Sequence, residues 1–488
     1  GGSVWGRTMR WDDGSILPAS IASQGVELLS RPMAVVVGVG ETAHTVPLGG
    51  LTITGRKQSR VSFVATGQVA GITARAAMWM EYDGFLWVTL RLKDSVPGRQ
   101  VDSVRIVAEM PSEQATLYQT FSRAHAGWIE DDAIQLPWLP HAGDCIANFY
   151  HWMGNEDRGL GFTYTSLEHW APKAPSGFCT IEPGTETVRY GANIIEQPTA
   201  LEGKPWLLGI QATPIKPLPP DYHSMLTSSY TWQKWHAWRR MPGNVDTLII
   251  WPPGIMPGLN APYNVDAERL RAATEDCHAS GIAALFTACP QKVSVQSADF
   301  EDYRLEWETQ PESVLNWEGV TQHQNCGKSY TLRKWLFYGW AKEIVERFGM
   351  DGVYYDGWQA GQIACANPHH GCGWVDSEGR RQVTVPVLEG REYNQRLCMF
   401  LEDHVRSPYV VPNTAPERKS YPGYHYRIHS WEFVPSVMGF ATQWLTGEFS
   451  GYPLKGPSTL TPEGTLGKCL GLGLYRSRCL STNWGVPN

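Results

Sequence analysis

The chain lacks the features that mark several large classes of protein. Charged residues make up only 18% of its 488 residues and the formal net charge is −7. There is therefore no basic surplus for nucleic acid and no Lys/Arg run for a membrane surface. No apolar run approaches the ~20 residues of a membrane span, and the first residues lack the apolar core of a signal peptide. The composition predicts neither a nucleic-acid partner nor a membrane span.

Several motifs of catalysis and cofactor binding are absent as well. The sequence has no Ser-His-Asp elbow, no phosphate-binding glycine loop and no dinucleotide fingerprint. It also contains no internal repeat and no low-complexity segment. These absences exclude the corresponding enzyme classes and predict that no cofactor is needed.

Aromatic residues are what the chain has in excess. It contains 22 Trp, 20 Tyr and 14 Phe, most of which belong to hydrophobic cores by their ordinary preference. The surplus of Trp fits a protein that handles carbohydrate, because the apolar face of a sugar ring packs against a flat aromatic surface. Ten cysteines are consistent either with a few disulfides or with buried thiols.

The sequence pattern changes once along the chain, and the length calls for more than one core. Short β-branched runs separated by turn residues predict an antiparallel β-sandwich over residues 1–212. Residues 213–240 are rich in Pro and Trp and predict a semi-rigid linker. From 241 to 488, strands and helices alternate, which predicts an α/β fold of the (β/α)8 TIM-barrel type.

The predicted barrel elements can be placed one by one. Its strands are expected at residues 245–251, 282–287, 319–321, 352–355 and 409–413, of which 319–321 has the weakest pattern. Its helices are expected from Asn264 or Asp266 to His278, and at residues 329–348 and 389–406.

One strand ends on a residue suited to catalysis. The aromatic and β-branched run at 352–355 leads directly to Asp356, Gly357 and Trp358. A barrel glycosidase presents its carboxylates in this way, at the carboxyl end of a strand and beside a flat ring. The alternative is that Asp356 only caps the following turn.

Cleavage of a glycosidic bond usually needs two carboxyl groups on opposite sides of the bond. The partner of Asp356 is expected at the end of a later strand. Glu448 meets this requirement because it follows an apolar run and Gly447, and it is the first choice. Glu432, in a His-Ser-Trp-Glu-Phe stretch, is the alternative acid.

Further side chains have the chemistry to bind sugar, with aromatic rings for stacking and polar groups for hydroxyls. Each also has a simpler interpretation as a turn residue or a buried core residue. The candidates are Trp358, His370, Trp374, His323, Asn413, His429 and Trp431.

A loop with two Cys and two adjacent His allows two interpretations. Cys365, His369, His370 and Cys372 offer the ligand types of a tetrahedral zinc site. However, adjacent histidines do not readily aim at one ion, and the usual Cys-x-x-Cys step is missing. A disulfide across the loop is simpler and would stabilise it by ~2–3 kcal/mol. We therefore expect the disulfide, no metal, and a His370 that is free to face the ligand.

Several motifs together resemble bacterial proteins of the glycoside hydrolase family 123-like group. The pieces that carry the resemblance are residues 212–217, 352–356, 370–374, 390–392 with Arg396, 429–430 and 446–448. The resemblance implies a β-sandwich, described in that group as its N-terminal domain, followed by a (β/α)8-type barrel. It also implies a carbohydrate-active enzyme.

The resemblance also suggests roles for the two acids. Characterised members of that group are β-N-acetylgalactosaminidases with an adjacent Asp-Glu pair, whereas this chain has Asp356-Gly357. The layout of its acids looks more like the α-galactosidase type of barrel, in which the first acid is the nucleophile and the later one the general acid/base. This implies a nucleophilic Asp356 and an acid/base Glu448.

The sequence therefore predicts a retaining glycoside hydrolase, secreted or periplasmic, acting on an oligosaccharide or polysaccharide. The bond would be an α-galactoside or an N-acetylgalactosaminide in a bacterial, host or algal glycan. Two alternatives remain open. One is a non-catalytic glycan-binding protein on the same scaffold, and the other is a metal-assisted hydrolase that uses the Cys/His loop.

Overall fold

The structure is a computed structural model, and it divides the chain into two compact units. The residues it describes are 1–4, 6–120, 126–138, 149–155, 157–213, 227–231, 247–251, 266–288, 292–317, 319–355, 363–406, 409–412 and 479–481. Among these residues, no helix combines the length and the apolar character needed to cross a membrane.

The described part of the first unit is built from β-strands. They are β1 (Gly2–Val4), β2 (Arg7–Arg10), β3 (Ser20–Ser23), β4 (Val26–Glu27), β5 (Arg31–Val39), β6 (Thr42–Thr45), β7 (Gly50–Arg56), β8 (Arg60–Val69), β9 (Ile72–Glu81), β10 (Leu86–Asp94), β11 (Gln100–Val101), β12 (Ser103–Pro111), β13 (Leu117–Thr120), β14 (Ala126–Trp128), β15 (Ile134–Leu136), β16 (Tyr150–Gly154), β17 (Gly159–Thr163), β18 (Cys179–Pro183), β19 (Thr187–Ile195), β20 (Thr199–Ala200) and β21 (Glu202–Thr213).

Two large antiparallel sheets form the body of this unit. The nine-stranded sheet has the order β14-β13-β16-β17-β21-β10-β9-β8-β7, and the six-stranded sheet has the order β15-β18-β19-β12-β5-β6. Their inner faces meet where Phe162 of β17 stacks on Tyr190 of β19, with ring centroids 4.0 Å apart. Side chains alternate between buried and exposed along β9, as expected of a strand with one face on a core. The predicted antiparallel β architecture is thus confirmed.

The described part of the second unit mixes strands and helices. The strands are β22 (Thr227–Thr231), β23 (Thr247–Trp251), β24 (Ala283–Ala288), β25 (Lys292–Ser294), β26 (Val314–Trp317), β27 (Val320–Gln324), β28 (Gly352–Tyr355), β29 (Trp374–Val375), β30 (Arg381–Gln382), β31 (Tyr409–Pro412) and β32 (Cys479–Ser481). The helices are α1 (Ala267–Ala279), α2 (Phe300–Trp307), α3 (Tyr330–Tyr338), which continues as a π-helix over Gly339–Glu346, and α4 (Val387–His404).

A parallel sheet organises this unit. Its order is β31-β28-β24-β23-β22-β32, and every pairing in it is parallel. Neighbours in the sheet follow each other along the chain, except that β32 pairs with β22. Parallel strands in this order, joined through helices, are what a barrel requires. The predicted (β/α)8 barrel nevertheless stays a prediction, because residues 413–478 lie outside the described part.

Two strand assignments from the sequence differ from the structure. β22 lies within the range predicted as a linker, and it pairs with β23 as a member of the parallel sheet. The segment predicted as the third barrel strand belongs instead to β27, which pairs antiparallel with β25 and β26 in a separate sheet. The strand that leads to Asp356, β28, is therefore still the fourth strand of the parallel sheet along the chain. The three strands before it are β22, β23 and β24.

Candidate functional site

The structure describes only some of the residues singled out from the sequence. Asp356, Glu448, Glu432, Trp358, Asn413, His429 and Trp431 lie outside the described residues. His323, His370 and Trp374 lie within them.

The strand before Asp356 occupies a central position in the parallel sheet. β28 is flanked by β24 and β31, with Tyr355 paired to Ala288 on one side and to Pro412 on the other. In the sequence, Asp356 follows Tyr355 and Asn413 follows Pro412. The chain therefore leaves two neighbouring strands at paired positions, and in each case the next residue is one of the predicted site residues.

The opposite end of β28 has a structural acid. Asp351 accepts hydrogen bonds from His278 Nε2 of α1 and from the backbone N–H of Ala284, each at 2.8 Å. These contacts join α1 to the start of β24 and β28. Asp351 thus packs at the entrance of this strand.

His323 is a buried histidine beside two carboxylates, of which Glu308 is largely buried and Glu312 exposed. Its Nδ1 is 2.6 Å from Glu308 Oε1 and 3.2 Å from Glu312 Oε1. Arg304 also contacts both carboxylates, at 2.5 and 3.3 Å. These contacts account for a buried histidine without a substrate, and the role of His323 in binding sugar stays a prediction.

Trp374 stands in a short hairpin formed by β29 and β30, where it is cross-strand partner to Gln382. Its side chain is half-buried. Its indole Nε1 is buried and has no hydrogen-bond partner among the described residues. The role of Trp374 in binding sugar stays a prediction.

The densest group of reactive side chains surrounds the Cys/His loop. Cys326, Cys365 and Cys372 have no exposed surface, and His370 joins them. The three Sγ atoms and one nitrogen of His370 all lie within 4.8 Å of one another. Cys326 Sγ is 3.6 Å from Cys372 Sγ, and Cys365 Sγ is 3.3 Å from His370 Nε2. We call these four residues the Cys3His cluster.

Backbone donors surround the sulfur atoms of the Cys3His cluster. The N–H of Lys328 points to Cys326 Sγ at 3.5 Å. The N–H groups of Asn367 and Gln310 point to Cys365 Sγ at 3.3 and 3.5 Å. A neutral thiol is a weak acceptor, whereas hydrogen bonds of this kind stabilise a thiolate.

His370 is fixed in the cluster at both ring nitrogens. Its Nδ1 is 2.6 Å from the backbone oxygen of Glu306, to which it donates, and its Nε2 faces Cys365. The expectation that His370 is free to face a ligand is therefore wrong, because neither nitrogen is left for a sugar hydroxyl.

The expected disulfide across the loop is not formed either. Cys365 and Cys372 are both free thiols, and Cys326, which is distant in the sequence, joins them as a third buried thiol. The sequence pattern drew attention to the right loop but missed Cys326. The only signal that could have added it is that the residue follows a short strand and a polar Gln-His-Gln-Asn run.

Charge in the cluster is concentrated on Cys372 and His370. Hydrogen bonds from Cys326 and Cys365 hold the pKa of Cys372 far below its usual range. Burial lowers the pKa of His370, but the thiols of Cys365 and Cys372 outweigh it and raise this pKa to about 10. Burial raises the pKa of Cys326 well above its usual range. The arrangement thus favours negative charge on sulfur beside a positive imidazole.

Sequence comparison gives an independent result for the first unit. Residues 3–173, about a third of the chain, match the family model described as glycoside hydrolase 123, third domain. Over these residues the chain resembles a domain of glycoside hydrolase family 123. This confirms the predicted resemblance and the expectation of a glycoside hydrolase, although the matching model is described as the third domain and not as an N-terminal one. No curated protein matches the sequence.

Solved structures with a similar course of the chain include several glycosidases. One is the galactosidase domain of the α-galactosidase–sucrose kinase AgaSK, at 11% identity and a TM-score of 0.45, covering 90% of this chain and 67% of that one. A second is the GH36 α-galactosidase AgaA of Geobacillus stearothermophilus in complex with raffinose. Its identity is 10% and its TM-score 0.46, and the match covers 88% of this chain and 70% of that one. A third is the α-N-acetylgalactosaminidase NagBb of Bifidobacterium bifidum. Its identity is 10% and its TM-score 0.36, and the match covers 84% of this chain and 76% of that one. At these values, the likeness supports no assignment of substrate or mechanism.

Proposed function

We propose that this glycoside hydrolase is a retaining enzyme in which Asp356 is the nucleophile and Glu448 the general acid/base. The observation that carries the proposal is the position of β28 within the parallel sheet. Active sites of parallel α/β enzymes lie at the carboxyl ends of the strands, and Asp356 is the residue after the last one of β28.

The same edge of the sheet supplies a second polar residue. Asn413 follows Pro412, which pairs with Tyr355, so Asp356 and Asn413 continue from adjacent strands at matched positions. An acid beside an amide at one edge suits a sugar, because the amide can hydrogen-bond a hydroxyl next to the reacting carbon. We include Asn413 in the proposed site for this reason.

The chemistry assigns each acid a distinct task. The Asp356 carboxylate attacks the anomeric carbon while Glu448 protonates the leaving oxygen, so that the glycosidic bond breaks and an ester to Asp356 forms. Water, deprotonated by Glu448, then cleaves the ester and restores both acids. For the substrate we propose a terminal α-galactoside or N-acetylgalactosaminide, following the resemblance of the sequence motifs.

Two acids at opposite ends of β28 allow a matched test. Asp356→Asn is expected to lower kcat on nitrophenyl α-galactoside or N-acetylgalactosaminide by at least about 10³-fold, with little change in melting temperature, because it removes only the nucleophile. Asp351→Asn is expected to lower the melting temperature with little change in kcat. It weakens the contacts to His278 and Ala284 but leaves the proposed catalytic acids in place. Steady-state kinetics and thermal unfolding of both variants make the comparison.

The outcomes separate the proposal from its rivals. Full turnover by Asp356→Asn would overturn the assignment of the nucleophile. Proton NMR of the first-formed sugar must show the anomeric configuration of the substrate, and inversion would exclude the retaining mechanism. If Glu432→Gln but not Glu448→Gln loses activity, Glu432 is the acid/base. Glycan binding with no turnover on any substrate would leave a binding protein instead.

A further inference from the structure

We propose that the Cys3His cluster is the binding site of one zinc ion with a structural role. The four side chains come from two separate stretches of the chain, with Cys326 following β27 and the other three in the loop from Cys365 to Cys372. None of the comparisons assigns a metal to this part of the chain, and the proposal stands independently of the proposed glycosidase chemistry.

The distances suit a single tetrahedral ion. Ligands bound to zinc at about 2.0–2.3 Å lie roughly 3.5–3.8 Å from one another. Cys326 Sγ is 3.6 Å from Cys372 Sγ, within this range, and Cys365 Sγ is 3.3 Å from His370 Nε2, slightly below it. A disulfide needs about 2.05 Å between sulfurs, and it would use two of these thiols while leaving the third and the histidine without a purpose.

The surroundings are those of a metal–thiolate centre. The backbone N–H groups of Lys328 and Asn367 each point to the sulfur of the cysteine two residues earlier, and Gln310 adds a third N–H. His370 presents Nε2 to the cluster while its Nδ1–H is held by the Glu306 carbonyl, which fixes the ring in the orientation of a metal ligand.

Nearby positive charges fit the charge of the filled site. Three thiolates and a neutral imidazole around Zn²⁺ leave one net negative charge. Lys328 Nζ donates to the Gly371 carbonyl at 2.7 Å, and Arg381 donates to the carbonyls of Ala366 and Cys372. Both cations therefore hold the backbone of the ligand loop and lie where they stabilise that charge.

The cluster is closed, which argues for a structural ion. All three cysteines are fully buried, and the protein supplies four ligands, so no position is left for water or substrate. Catalytic zinc keeps one position open. This arrangement disfavours the metal-assisted hydrolase considered from the sequence, and it assigns the ion the role of tying Cys326 to the segment that begins nine residues after Asp356.

A second group of possible ligands serves as an internal comparison. Glu308, Glu312 and His323 also bring three ligand atoms together. Arg304 already contacts both of these carboxylates and offsets part of their charge without an ion. We propose no metal there, and His323→Gln becomes a control variant for metal analysis.

The test is the metal content of the full chain. Protein purified under reducing conditions and supplied with zinc is expected to hold one equivalent by mass spectrometry of the elements. Cobalt(II) in its place should give the absorption of tetrahedral cobalt with sulfur-to-metal charge transfer. Cys326→Ser and His370→Ala are expected to weaken zinc binding at least tenfold, whereas His323→Gln should bind as the parent does. Cys277→Ala should also bind as the parent does, because Cys277 is a buried free thiol of α1 outside the cluster.

Each alternative gives a different result. A chain without bound zinc after reconstitution, or one whose zinc is unaffected by Cys326→Ser, overturns the proposal. Loss of two thiols on thiol counting, with a mass lower by two hydrogens, would show that a disulfide forms instead. If a variant fails to fold, competition between the parent protein and a chromophoric chelator still measures the affinity. Zinc content and glycosidase turnover are separate readouts, so failure of one proposal is not failure of the other.

Discussion

Tyr190 shows how a single hydroxyl joins the two sheets of the first unit. It lies on β19, and its oxygen is 2.8 Å from His151 Nδ1 and 2.8 Å from the hydroxyl of Tyr164. His151 belongs to β16 of the other sheet, and Tyr164 directly follows β17 of that sheet. It also donates to Cys179 Sγ at 3.1 Å. Burial raises the pKa of Tyr190 well above its usual range, so the hydroxyl stays neutral. Such a buried network stabilises one arrangement of the core because every member needs its partners.

Tyr190→Phe is therefore expected to lower the free energy of unfolding by about 1–3 kcal/mol, since it leaves buried polar groups with one partner fewer. Tyr338→Phe is the matched control, because Tyr338 is 55% exposed and should change stability by less than about 0.5 kcal/mol. Calorimetric unfolding of both variants measures the difference. Equal melting temperatures for Tyr190→Phe and the parent would contradict this role.

At the same scale, the limits of sequence reasoning are clear in the Cys3His cluster. Cys365 and Cys372 attract attention because they are close in sequence, and local spacing suggests a pair. Cys326 enters only through the fold, since Cys326 N–H bonds to Trp307 O and anchors that segment beside the loop. Its position after a short strand and a polar run is only a weak signal, because the local sequence does not show which distant loop the thiol meets.

Among the elements, two predicted helices match the observed ones closely, whereas a short polar strand was not predicted. The predicted helix at 266–278 corresponds to α1, and the one at 329–348 to α3 with its π-helical continuation. Both start at residues whose side chains accept a backbone N–H, which is a strong local signal. β22 reads Thr-Ser-Ser-Tyr-Thr and lacks the apolar run by which its neighbour β23 was recognised.

The start of α1 allows a graded test of this local signal. Asp266 accepts a hydrogen bond from the Arg269 N–H at 3.2 Å. Asp266→Ala should lower the free energy of unfolding by roughly 1 kcal/mol, because the cap is lost, whereas Asp266→Asn should retain most of the stability. Thermal unfolding of the three proteins decides this. If the two substitutions are equally destabilising, the charge and not the cap is what matters.

For the whole molecule, the decisive feature is that each unit has its own organisation. The alternating pattern of residues 1–212 predicted the antiparallel architecture because one face of each strand meets a core. The βα alternation predicted the parallel sheet but not which strands belong to it. β27 has the pattern of a strand but pairs with β25 and β26 in a separate sheet. The proposed catalytic edge depends only on β24, β28 and β31, which were all expected.

All four ligands of the proposed zinc site belong to the second unit. Binding stabilises the unit that holds the ligand, and loss of the ion removes that stabilisation there alone. Treating the reduced full chain with a zinc chelator should therefore raise hydrogen exchange at residues 320–330 and 363–385. Strands β8–β10 of the first unit should keep their protection. Cys326→Ser without chelator should reproduce the pattern, and the Cys277→Ala control should not. A rise spread evenly over both units, or none at all, would show that the cluster does not hold a stabilising ion.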